Sequence, residues 1–155
     1  MKFSGNVRGV AKVKGNFNKI QKIGDNPELK KIGILMQKST ITTFETEGSN
    51  LLGRKWKPLA ESTKKARKRR GHWPGKILTE IGVLKRAQTY EVPKPRILKW
   101  GPDVTGWYGK YHQSTKPRKK LPRRQFLGAS KKDEKMICDT LGKKIMKRIS
   151  MEIRG

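Results

Sequence analysis

Apolar residues recur at three- and four-residue spacing in two long stretches, and those stretches decide what the chain can fold into. The first holds Leu29, Ile32, Leu35, Met36, Thr40, Thr43 and Phe44, one face of a helix, before Gly48 interrupts it. Asn26-Pro27 marks its start, because Asn can cap free amides and Pro in the first turn gives up no helical bond. The spacing predicts a helix over 27–45. The second stretch repeats Ile137, Leu141, Ile145 and Ile149, behind Ser130 as a cap and Asp133 and Glu134 in a first turn where they complement the helix dipole. It predicts a helix over 131–153. Only 33% of the residues are apolar, so these two faces must supply much of the core, although the 16 glycines bring the chain near the usual globular range.

The rest of the chain is organised around them. Val7, Val10 and Val13 among Gly and Lys suggest an edge strand or ordered arm over 1–15. Residues 48–75 are polar, glycine-punctuated and basic, with Trp56 and Leu59 the large apolar anchors before Trp73; a long mobile loop is expected. Within it 62–70 could form a short helix, but its cations would repel one another, so it is expected to order against a partner. Leu78, Ile81 and Leu84 return to helical spacing over 76–87. Strand signals fill 88–113: Tyr90 and Val92, then Ile97, Leu98 and Trp100, then Trp107 to His112, with Pro93 and Pro95 arguing for edge or hairpin positions. Residues 114–125 form a second basic, mobile loop. The expected architecture is a single α+β domain over 1–155, a small antiparallel sheet packed against two long helices and a short helix, with extended basic loops.

Charge narrows the function. There are 39 Lys and Arg against 12 Asp and Glu, a net +27, which calls for an anionic partner. The candidate contacts are Lys64, Lys65, Arg67, Lys68, Arg69 and Arg70 in the first basic stretch, and Lys116, Arg118, Lys119, Lys120, Arg123 and Arg124 in the second. With Trp73 and Trp107 nearby they could grip phosphates and stack on bases, or dock on an acidic protein surface. Enzyme chemistry finds little support. His72 and His112 are far apart and lack ligand spacing, and the carboxylates fall mostly singly or at helix ends. No phosphate-binding Gly-rich loop is present. No catalytic residue, metal or cofactor is therefore expected. Cys138, the single cysteine, allows no internal disulfide, suits a reducing cytoplasm, and is expected to be a small core residue. The first residues hold no apolar stretch of signal-peptide length and no run spans a membrane, so a soluble chain without membrane contact is expected.

Several short signatures follow one another between Asn16 and Ile149. They are Trp56-Lys57-Pro58-Leu59 with Thr63; Ile77-Leu78 with Gly82 and Leu84; Tyr108-Gly109 with His112-Gln113; and Arg124 with Phe126-Leu127-Gly128. In this order they resemble the phage virion morphogenesis family, the tail-completion and head-tail joining proteins of tailed bacteriophages. The resemblance implies a structural virion protein that completes the tail or joins tail to head at the neck, in a homo-oligomeric ring around the DNA channel, a hexamer among the states allowed. It implies manufacture in the host cytoplasm and residence at the neck or head-proximal end of the tail. Its neighbours would be other neck, portal or tail-terminator proteins, with contact to genomic double-stranded DNA in the channel. Tyr111, His112 and Gln113 become candidate subunit contacts, and Trp56, Pro58, Leu59, Thr63, Leu78, Gly82, Leu84, Phe126, Leu127 and Gly128 structural positions. The alternative is a free basic nucleic-acid-binding protein, similar in composition to small ribosomal or chromatin-like proteins.

Overall fold

The computed structural model describes residues 26–94, 96–116 and 121–154, so the expected strand or arm over 1–15 lies outside the described residues. Helix α1 (Asn26–Glu45) buries Leu29, Ile32, Met36, Thr40, Thr43 and Phe44, as its spacing predicts. Thr40 and Thr43 enter the core because their hydroxyls donate to the carbonyls of Met36 and Ser39, at 2.8 and 3.0 Å. The helix packs on a hairpin of β1 (Gln88–Lys94) and β2 (Ile97–Pro102), antiparallel, with Tyr90 opposite Trp100 and Gln88 opposite Pro102. Gly33 permits this approach, since a Cβ there would overlap the Tyr90 ring. The ladder shifts register between Glu91 and Lys94, around Pro93, where a missing donor is tolerated. Arg96, at φ 67°, turns the hairpin.

Past Glu45 the chain reverses through Glu47 (φ 52°) and Gly48 (φ 96°), with the Gly48 N–H closing on the Thr43 carbonyl at 2.8 Å. Gly48 also lies against the Trp56 indole, where a side chain would clash. The one-turn helix α2 (Ser49–Leu52) follows, then α3 (Glu61–Arg69). Part of the stretch expected as loop is therefore helical. The repulsion among its cations is offset locally: Glu61 opens the helix and pairs with Lys64 at 2.6 Å, while Arg67, Lys68 and Arg69 sit in the last turn, where cations suit the dipole.

Two further expectations are corrected. The helix over 76–87 shrinks to α4 (Val83–Arg86), because Leu78 (φ 61°) and Gly82 (φ 73°) are left-handed. Tertiary partners replace the missing helical bonds: the Ile77 N–H donates to the Glu47 carboxylate and the Lys76 carbonyl accepts from Arg67, both at 3.0 Å. The third strand, over 107–112, is instead a 3₁₀ turn (Val104–Gly109) running into α5 (Lys110–Gln113), which leaves a two-stranded sheet among the described residues. Asp103 starts that turn by accepting from the Thr105 N–H and hydroxyl at 2.8 and 2.6 Å. Gly106 and Gly109 face inward, and a Cβ on Gly109 would stand 2.9 Å from both Leu84 Cδ1 and Phe126 Cζ, so only bare backbone fits.

The final helix, α6 (Lys131–Arg154), opens on a reciprocal cap in which Asp133 Oδ2 accepts from the Ser130 N–H and hydroxyl at 2.9 and 2.6 Å. The same oxygen accepts from Ser39 at 2.8 Å, pinning α6 to α1, and Lys144 pairs with Glu28 further along. Its apolar stripe is less deeply placed than expected. Ile137, Leu141 and Ile145 are half-buried, and Met146, Met151 and Cys138 are exposed. The reason is that α1 turns its apolar face to the hairpin, so these contacts to α6 run along its polar flank. The main cluster instead joins Phe44, Trp56, Ile77, Leu84 and Phe126, with Leu59, Leu78, Tyr108 and Leu127 packed around it. Phe44 meets Trp56 edge-on at 5.8 Å between ring centroids and Phe126 at 5.1 Å.

Candidate binding groove and basic surface

One face of α3 points into the molecule and the other into solvent. Thr63, Ala66 and Arg67 share the inner face, and Arg67 is the one of them that is fully buried, at 5% exposure. With no large apolar side chain between Glu61 and Arg69, the aliphatic stem of an arginine takes the inward place. Its Nη1 donates to the Lys76 carbonyl at 3.0 Å and its Nε lies 3.3 Å from Glu80 Oε2. Glu80 Oε1 also meets Arg70 Nη2 at 2.7 Å and His72 Nδ1 at 3.2 Å. The hydrogen bond with His72 is the main cause holding the Glu80 carboxyl below the usual carboxylate range; burial opposes it, and the charges of Arg70 and Arg67 add to it.

Arg124 comes from the other basic stretch and is equally buried, at 5% exposure. Its Nε and Nη2 donate to the Lys57 carbonyl at 3.2 and 3.1 Å, and Nη2 reaches the Pro58 carbonyl at 3.2 Å. No carboxylate among the described residues pairs with it. Burial and then the neighbouring charge of Arg67 pull its pKa below the ordinary arginine value. Both arginines line an open groove of about 920 Å³ whose walls include Leu59, Leu78, Ile81 and Tyr108. His112 lines the same groove, and its carbonyl accepts the Arg124 N–H at 3.1 Å.

The other predicted contact residues divide cleanly. Lys65, Lys68 and Arg69 form an outward stripe on α3, exposed and without an ion pair among the described residues. Lys64 is tied to Glu61 and lies 6.0 Å from the Trp73 ring, and Arg70 is tied to Glu80. Lys116 is exposed, Arg123 bonds Gln113 and Gln125, and Arg118, Lys119 and Lys120 lie outside the described residues. Among the candidate subunit contacts, Tyr111 packs against the exposed Trp107 at 5.9 Å with the Lys110 ammonium 5.2 Å from its ring. Gln113 is engaged internally: its Oε1 accepts the Phe126 N–H at 2.8 Å and its Nε2 donates to the Leu127 carbonyl at 3.1 Å.

The matched motif positions meet in space. Trp56 Nε1 donates to the Gln125 carbonyl at 2.8 Å, Phe126 and Leu127 follow directly into the core, and the positive φ of Gly82 admits α4 so that Leu84 reaches them. Pro58 lies on the groove wall and lends Arg124 its carbonyl; Thr63 lines the same wall, and Gly128 lies against Leu51. The Glu80–His72 pairing and the convergence of Arg67 with Arg124 escaped sequence reasoning. One signal was present: Thr63, Ala66, Arg67 and Arg70 fall on a single helical stripe opposite Lys65, Lys68 and Arg69.

The fold is a small helical α+β chain whose side chains brace backbone around a cationic groove, with a second cationic stripe outside it. The family is specific: the chain belongs to the phage virion morphogenesis family, whose model matches residues 10–146. That is a structural and assembly family, so the chain is a virion-associated bacteriophage protein with a role in building the particle. No curated protein and no solved structure matches it. Among the described residues no helix is long and apolar enough to cross a membrane, and no group of His, Cys, Asp or Glu is placed to hold a metal.

Proposed function

We propose that this chain completes the tail or joins tail to head at the neck, as one subunit of a ring around the DNA channel. Family membership sets the class of role. The observation that carries the finer reading is the outward stripe of Lys65, Lys68 and Arg69, which projects charge that no acid of the described chain neutralises. A ring repeats that stripe in every subunit and repels itself unless anions meet it. DNA in the channel or the acidic rim of an adjoining ring supplies them. The exposed Trp107 with Tyr111 and Lys110 beside it suits a subunit contact, being aromatic, partly apolar and rimmed by charge.

A peptide tag on the chain, decorated with gold-labelled antibody in intact virions, tests the placement. Label at the head-tail joint is expected; label on capsid faces or the tail tip overturns the reading. The free nucleic-acid-binding alternative predicts no label on purified virions.

A further inference from the structure

We propose that the groove holding Arg67 and Arg124 docks an extended segment of another protein, one that carries a carboxylate side chain flanked by apolar residues. The proposal rests on the assembly reading for the kind of partner, a neighbouring virion protein, while its chemistry comes from the groove. Arginines from both basic stretches line it, each with a buried side chain, and among the described residues Glu80 is the single carboxylate on the lining against Lys57, Arg67, Arg70 and Arg124. Glu80 is already shared among Arg67, Arg70 and His72. Among the described residues Arg124 bonds carbonyls alone, through Nε and Nη2, bonds that leave Nη1 over. A buried cation so placed gains far more from an incoming anion than an exposed one does, because the surrounding apolar walls lower the screening.

Those walls also select the anion's source. Leu59, Leu78, Ile81 and Tyr108 would lose little water to a sugar-phosphate backbone, whereas apolar side chains on either side of a carboxylate would bury against them. Ile81, 61% exposed on the rim, is an apolar side chain left in solvent next to this charge.

The test selects peptides from a displayed random library on the full chain. Affinities of the enriched peptides are then measured by fluorescence anisotropy for wild type, Arg124→Gln and Ile81→Glu. Enriched peptides are expected to share Asp or Glu between apolar residues and to bind both variants about tenfold or more weakly. Ile81→Glu keeps the test sound if Arg124→Gln loosens the fold, because that side chain is exposed and its variant should unfold at the wild-type temperature. Absence of enrichment, enriched peptides without an acid, or undiminished binding to Ile81→Glu overturns the proposal. A duplex oligonucleotide weakened by the same two changes would give the groove to phosphate, and peptides matching Asp133-Glu134 would give it to a second copy; either result overturns it too. The selection uses no virion, so its failure leaves the neck placement standing.

Discussion

Phe126 sits where three separate pieces of chain close on one another. Its ring packs on Phe44 from α1 and over the bare backbone of Gly109, and its N–H is held by the side chain of Gln113. Removing the ring leaves a cavity that helices on two sides cannot fill, so Phe126→Ala is expected to lower the unfolding free energy by about 3–5 kcal/mol in urea titration. A midpoint equal to wild type would mean that the ring is not a core element. Gln113 acts like a strand for the two residues it spans, satisfying one amide and one carbonyl. Gln113→Ala strands the Phe126 amide, while the Leu127 carbonyl keeps the Gln125 Nε2 donor at 3.2 Å; the expected cost is about 1–3 kcal/mol, readable as a lower thermal midpoint of the isolated chain. If Gln113 served only contacts between subunits, that midpoint would not move. Sequence placed Gln113 with Tyr111 and His112 as a surface feature, since nothing local shows that an amide's partners lie past a basic loop. Trp56 was legible as a core anchor because so few large apolar residues surround it.

At the scale of elements, the two long helices were readable because each carries its own start signal and a face of regular spacing. The aromatic run 104–113 was not. Trp107 to Tyr111 has strand-like composition, but Asp103 with Thr105 and the inward pair Gly106 and Gly109 mark a tight helical turn, and those glycines acquire meaning only against Leu84 and Phe126. Helix α3 was expected to order only against a partner, because its one inward cation is bound by a carboxylate beyond its own end. That clamp is pH-sensitive. The Glu80 carboxyl titrates lower in the folded state than its ordinary value near 4.5, so the folded chain releases that proton first. The stability it contributes is complete above that ordinary value and is lost as pH falls below it. Unfolding followed by circular dichroism should show wild type losing stability on acidification below about pH 4.5, with a shallower loss for Glu80→Gln. Identical slopes would remove the clamp from the account. The opposite face of α3 predicts the reverse behaviour. Changing Lys65, Lys68 and Arg69 together to Gln should leave the unfolding free energy within about 0.5 kcal/mol, yet reduce the yield of complete virions when the variant is supplied in place of wild type. Full yield would show that the stripe meets no partner.

For the whole molecule the governing fact is a net charge of +27 on a chain of 155 residues, of which the described fold neutralises only a small part internally. Arginines that could have faced solvent are instead drawn into a groove, and lysines of the same helix are turned out, so one basic stretch serves both packing and surface charge. Such a chain is stable alone only to the extent that its self-repulsion is screened, and the proposed ring would multiply the repulsion. Assembly at a site rich in anions resolves that conflict, and the neck of a DNA-filled particle is such a site. The most direct measurement is electron microscopy of a lysate from the parent phage carrying an early stop codon in this gene. Filled heads lying apart from finished tails are the predicted result; intact virions would contradict the neck role.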